Sequence, residues 1–218
     1  MIKKTLAFTL AETLIVMGII GVVSALTLPN LNSSTGEKEK VAKVKKIYQN
    51  LDDALGRAKV VYGPFNEWFQ NDTTSAAQAT RFGERITEFM KVSKNCGNST
   101  GCWAANTFSV DGSKYDGSHD YSSQKYSIIL ADGTSVLFEN TDCITFDIDG
   151  PNKGKNKFGT DLFTISITNN ELDLSFRDNR VLSGQFDNSY ATAWIIMNDN
   201  MDYLKCSGLN WETKTGCK

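Results

Sequence analysis

The sequence predicts an α+β protein, with helices in front and an antiparallel sheet behind. Three observations lead there. Apolar residues recur at three- and four-residue steps in the first third of the chain, as on one face of a helix. A second helical stretch covers 75–94, with Phe82, Ile86, Phe89 and Met90 on one face. Beyond it, short alternating segments rich in β-branched and aromatic residues are punctuated by turn dipeptides.

The first element is the helix, expected from about residue 8 to residue 62. Residues 8–28 are apolar or small except for Glu12, Thr9, Thr13, Ser24 and Thr27, and no charge follows Glu12 until Glu37. Such a run is about 30 Å long as a helix, the thickness of a bilayer core. Lys3 and Lys4 precede it, so they are expected on the cytoplasmic side. Pro29 removes a backbone donor and should kink or locally melt the helix, and 30–36 is a poor helix-forming stretch. From Glu37 helix formers resume, with Val41, Val44, Ile47, Tyr48, Leu51, Leu55 and Ala58 in one stripe. Gly63-Pro64 ends the helix. Strands are expected at 125–130 and 134–138 around Asp132-Gly133, at 143–148, and at 162–167 and 172–176 around Asn169-Asn170. A late helix or strand is expected within 191–205.

Three readings of the N-terminus compete. It is a signal peptide cut after Ala25, an uncut anchor, or a leader cut in front of the apolar run. A carboxylate at the end of an apolar span is costly unless partnered. A signal peptide or plain anchor has no use for Glu12. Cleavage between Ala7 and Phe8 would create an amine four residues from it, which on one subunit can neutralise Glu12 of the next. Ala7-Phe8-Thr9-Leu10-Ala11-Glu12 resembles the prepilin cleavage and methylation motif of type IV pilins and type II secretion pseudopilins, with Ala7 where the family usually has glycine. Pro29 also stands where that family often has a helix-kinking proline.

The resemblance implies a pilin-like fold: a long N-terminal helix, its first half transmembrane, packed on an antiparallel sheet head. It implies a leader at 1–7, a transmembrane and filament-core helix at 8–29, a helical spine at 30–62 and a head at 63–218. A prepilin peptidase would cut after Ala7 and methylate Phe8, and Glu12 would guide assembly. The implied function is structural, as a subunit of a type IV pilus-like filament or a secretion pseudopilus. Its partners would be copies of itself, other pilin-like subunits, the peptidase and an assembly platform. It would wait in the cytoplasmic membrane with its head outside and end in a periplasmic or surface filament. The alternative is an anchored or secreted extracellular binding domain, adhesin-like, cut after Ala25 or never cut.

The five cysteines lie in the polar part, without metal-knuckle spacing, and the single histidine is His119. With export ahead of them, Cys96–Cys102 and Cys206–Cys217 are expected as disulfides. That leaves Cys143 as a small hydrophobe or a free thiol. Residues 147–161 gather Asp147, Asp149, Asn152 and Asp161 on a glycine-punctuated loop. Calcium takes six to eight oxygens on such a backbone. The loop is not an EF-hand, because Pro151 falls at its fifth position and Phe158 at its twelfth. It loosely resembles the calcium loops late in major pseudopilins. The other reading is a tight connection in which Asp and Gly serve turn geometry and Lys153, Lys155 and Lys157 hold the surface. Both stay open.

Basic and acidic residues number 23 and 25, which gives no electrostatic case for nucleic acid. No triad spacing, phosphate loop or paired acid motif appears, so an enzyme is not expected. Trp103, Trp194 and Trp211 are either core or a binding face for a glycan or partner.

Overall fold

The computed structural model describes residues 10–115, 122–175 and 190–217, with only the backbone described for 24–35 and 190. Helix α1 runs from Leu10 to Tyr62. The chain divides into two compact units, Met1–Glu39 and Lys40–Lys218.

In the first unit, residues 10–23 of α1 face solvent. Leu10, Leu14, Ile15, Val16, Met17, Ile19, Ile20, Val22 and Val23 are 51–80% exposed. The expectation of a membrane-spanning first half is corrected here, and with it the pilin-like fold as anticipated. Among the described residues, no helix is long and apolar enough to cross a membrane. The described apolar stretch is interrupted by the Glu12 carboxylate, which is costly in hydrocarbon unless partnered.

The second unit is α+β. Its larger sheet has six strands in the order β1-β4-β5-β6-β7-β8, every neighbouring pair antiparallel. The strands are β1 (Val92–Gly97), β4 (Tyr126–Leu130), β5 (Ser135–Glu139), β6 (Cys143–Asp147), β7 (Leu162–Thr168) and β8 (Glu171–Asp173). Between β1 and β4 in the chain, β2 (Thr107–Phe108) and β3 (Lys114–Tyr115) pair as a small ribbon. Helix α2 is Ser75–Thr87 and α3 is Tyr190–Asn198.

The C-terminal part of α1 is the spine of this unit. Val41, Val44, Ile47, Leu51, Ala54, Leu55 and Ala58 are all buried and join one core with Phe82 and Ile86 of α2. The same core takes Ile128, Val136, Phe138, Ile144, Phe146, Phe163 and Ile165 from the sheet. Alternation along β5 sends Leu137 to the opposite face, where it meets Trp103, Phe158 and Leu162. Lysines pin the spine along its length. Lys40 Nζ donates to Thr160 O (3.0 Å), Lys45 and Lys46 pair with Asp199 and Asp132 (2.6 and 2.7 Å), and Lys59 Nζ donates to Asn170 O (2.8 Å). Gly63, in the left-handed region at φ 81°, closes the helix by donating from its N–H to Lys59 O.

The expected helix at 75–94 is shorter in the structure. Thr74 caps α2 by accepting from Ala77 N, and the helix ends at Thr87. Residues 92–97 instead form the edge strand β1 on β4, in a register broken by two irregularities. The open edge of β4 outcompetes a helical pattern that Phe89 and Met90 would otherwise have extended.

Gly83 is where α2 meets the sheet. A Cβ there would stand 2.1 Å from the Tyr126 ring. Tyr126 cannot retreat easily, since it is buried and its hydroxyl accepts from Asn95 Nδ2 at 2.6 Å. On the opposite face, Lys125 and Glu139 form a buried ion pair (3.0 Å), and Thr145 Oγ1 donates to Glu139 Oε1 at 2.7 Å.

Two stability predictions follow from this packing. Leu51→Ala should lower the unfolding free energy by about 2–5 kcal/mol in urea titration, the usual cost of a core cavity. Gly83→Ala should destabilise by about 1–3 kcal/mol through overpacking, although alanine is the better helix former. A neutral or stabilising Gly83→Ala would mean that α2 does not rest on Tyr126.

Candidate functional site

Three features carry the sequence expectations. The first is the N-terminal stretch of α1. Glu12 lies on α1, two residues after its first described residue. Ala7 and Phe8 lie outside the described residues. Pro29 falls inside α1, which runs on past it without a break; the expected local melting at that proline is not seen.

The second is the loop joining β6 to β7. Asp147 and Asp161 are fully buried, while Asn152 is exposed. Asp147 Oδ1 accepts from the N–H groups of Asp149 and Gly150 (both 3.1 Å), which closes the start of the loop. Asp161 fastens its end, Oδ2 accepting from Lys155 N (2.6 Å) and Oδ1 from Lys157 N (2.5 Å). The lysines that hold the surface thus also supply backbone donors to a buried carboxylate. At Gly154, φ is 67° and an added Cβ would stand 2.5 Å from an oxygen of each of Asp149 and Asp161. Those two carboxylates therefore form a cradle that only glycine leaves open. Asp149 Oδ1 is buried and has no hydrogen-bond partner among the described residues.

Of the four oxygen donors read from the sequence, the structure gathers Asp147, Asp149 and Asp161. Asn156, which sequence reasoning passed over, is the amide beside them. With its amide turned to satisfy both ends, its nitrogen donates to Asp147 Oδ2 and Lys153 O, each at 3.2 Å. Its left-handed φ of 47° is of the kind asparagine tolerates, and an Asn between lysines was the available signal. Among the described residues, no group of three or more His, Cys, Asp or Glu is placed to hold a metal ion.

The third feature is the set of cysteines. Cys96–Cys102 and Cys206–Cys217 are disulfides, with Cα atoms 5.9 and 5.8 Å apart. Cys143 is a thiol outside any disulfide, its Sγ directed at Glu139 Oε1 (3.8 Å), and its pKa is pushed well up by burial and by the charge of Glu139. Trp103 and Trp194 are buried, and Trp194 stacks edge-on to Trp211 with centroids 5.0 Å apart. Burial takes Trp103 and Trp194 out of any exposed binding face, and Trp194 Nε1 donates to Asn200 Oδ1 (2.9 Å). His119 lies outside the described residues.

Crowding of carboxylates in the loop has a pH signature. Burial first, then a side-chain hydrogen bond with Asp149 and the charges of Asp149 and Asp161, push the Asp147 pKa up to about 8. The folded state therefore keeps a proton that the unfolded chain has already lost above about pH 4. This group's stabilisation is complete below that pH and is lost as pH rises towards 8. In metal-free buffer, the urea midpoint should fall between pH 5 and pH 8, and Asp147→Asn should flatten that fall. An identical slope in the variant would place the proton elsewhere.

Comparison with protein-family models, with curated proteins and with solved structures found no match for this chain.

Proposed function

We propose that the chain is a structural subunit of an extracellular filament of the type IV pilus or type II secretion pseudopilus kind, joined to its neighbours through the N-terminal part of α1. The observation that carries this is the run of large apolar side chains on that stretch, more than half exposed in the isolated chain. A continuous apolar surface of this kind marks an interaction site, because leaving it in water is unfavourable. Glu12 is the only acidic residue within it and supplies a charge that a neighbour's processed amine can meet. The disulfides fit a head that matures in an oxidising compartment.

In this reading a prepilin peptidase removes residues 1–7, and residues 10–23 then pack side by side with those of other copies. The test is intact mass and N-terminal sequencing of protein from its native host, paired with electron microscopy of Glu12→Ala cells. A start at N-methylated Phe8, with filaments lost in the variant, is the expected result. An uncut Met1 or a start at Leu26 would overturn it and favour the anchored or secreted binding domain.

A second reading concerns the β6–β7 loop, favoured by the unpartnered Asp149 Oδ1 and the Gly154 cradle. Asp149 and Asp161, with loop carbonyls, would hold calcium, and Asp147 would shape the loop rather than ligate. The cation would supply the charge that the buried carboxylates lack. Added calcium at a hundredfold excess over its dissociation constant should stabilise the protein by about 2.7 kcal/mol in thermal unfolding. Asp161→Asn should abolish the effect. No shift in the parent protein would leave the loop as a plain connection.

A further inference from the structure

Beside the turn between β7 and β8 lies an open cleft of about 560 Å³, formed where that turn meets the short 3-10 segment Phe65–Glu67. Its walls carry the amides of Asn66, Gln70, Asn169 and Asn170 and the hydroxyl of Thr141, with Phe69 partly exposed beside them. Phe65 and Ile167 complete the floor. Among the described residues, no ionisable side chain lines it. We propose that this cleft binds a neutral saccharide, as a site separate from the assembly helix and from the β6–β7 loop.

The chemistry of the walls selects the ligand. A charged ligand would give up water without gaining a counter-charge, which disfavours anions and cations alike. A purely apolar ligand would strip water from four amides and return nothing. A sugar hydroxyl both donates and accepts, and each side-chain amide also offers both. The electron-rich face of Phe69 suits the weakly positive C–H edge of a pyranose ring. The volume lies within the range of small-molecule sites and has room for a short oligosaccharide.

The cleft is also held in shape before any ligand arrives. Asn169 and Asn170 sit at φ 53° and 67°, a left-handed pair that forms a tight hairpin turn. Lys59 Nζ fastens Asn170 O at 2.8 Å, and Asn66 N donates to Asn170 Oδ1 at 3.0 Å. Phe69 is braced by Phe65 and Phe82, with centroids 5.3 and 6.2 Å away. Preorganisation of this kind reduces the ordering cost on binding.

The test uses the full-length chain in a polyoxyethylene detergent that contains no sugar. Chitotriose, cellotriose and maltotriose are titrated by calorimetry and saturation-transfer NMR, with a heparin tetrasaccharide and a capped neutral tripeptide as controls. At least one neutral trisaccharide should bind and both controls should not. Phe69→Ala and Gln70→Ala should each weaken binding by about tenfold, roughly the loss of one good contact. Because Phe69→Ala also loosens the core, Asn169→Gly is the decisive variant. It deletes an amide at a φ that glycine adopts freely, so thermal unfolding should be unchanged while affinity drops about tenfold. Failure of all three sugars to bind, binding of the peptide or heparin instead, or unaltered affinity in Asn169→Gly would overturn the proposal.

Discussion

The fold of the second unit depends on one burial event: the apolar stripe along residues 41–58 of α1 against one face of the sheet. Each large side chain taken fully out of water there contributes about 1.5–3 kcal/mol. The helix itself has little reason to persist alone in that stretch, because its exposed positions are mostly charged and its stability comes from the face it buries. The lysines then fix where along the helix the loops sit. They act at the periphery, where an exposed ion pair contributes little by itself but limits sliding. Every other element is placed relative to this contact, including α2, whose approach to β4 is set by a glycine under a tyrosine ring.

Most of this was legible in the sequence where a local signal coincided with a long-range need. The stripe from Val41 to Ala58 has helical spacing and is the buried face. Asp132-Gly133 and Asn169-Asn170 both turn hairpins, because their residues take the backbone angles those turns require. Legibility failed where tertiary context decided. The edge of β4 captured residues 92–97, of which 92–94 were expected to continue the helix of α2. The membrane expectation read residues 8–28 as one apolar run and gave little weight to the charge of Glu12, and among the described residues no helix is long and apolar enough to cross a membrane. Asn66 and Asn169 are more than a hundred residues apart, so no local pattern could place them on one cleft.

The β6–β7 loop shows how one composition serves two purposes. Aspartates at its ends cap backbone N–H groups, which is turn chemistry, and the same aspartates bring negative charge into a buried space. The proton retained near Asp147 and a bound cation are alternative answers to that charge. Cys143 and the Lys125–Glu139 pair occupy the same sheet but are already paired with protein groups, so they belong to the architecture rather than to recognition.

The two ends of the six-stranded sheet bear on how copies of this chain can meet. A sheet edge displays unpaired N–H and C=O groups and is a standing invitation to add another strand. Here β8 is only Glu171–Asp173, short and flanked by acidic side chains, and β1 carries two register faults with Ser93, Lys94 and Asn95 turned to solvent. Both margins are therefore poor templates for growth by strand addition. In the proposed filament, ordered growth through the helix would gain from this, because the amyloid-like route of edge-to-edge pairing is discouraged.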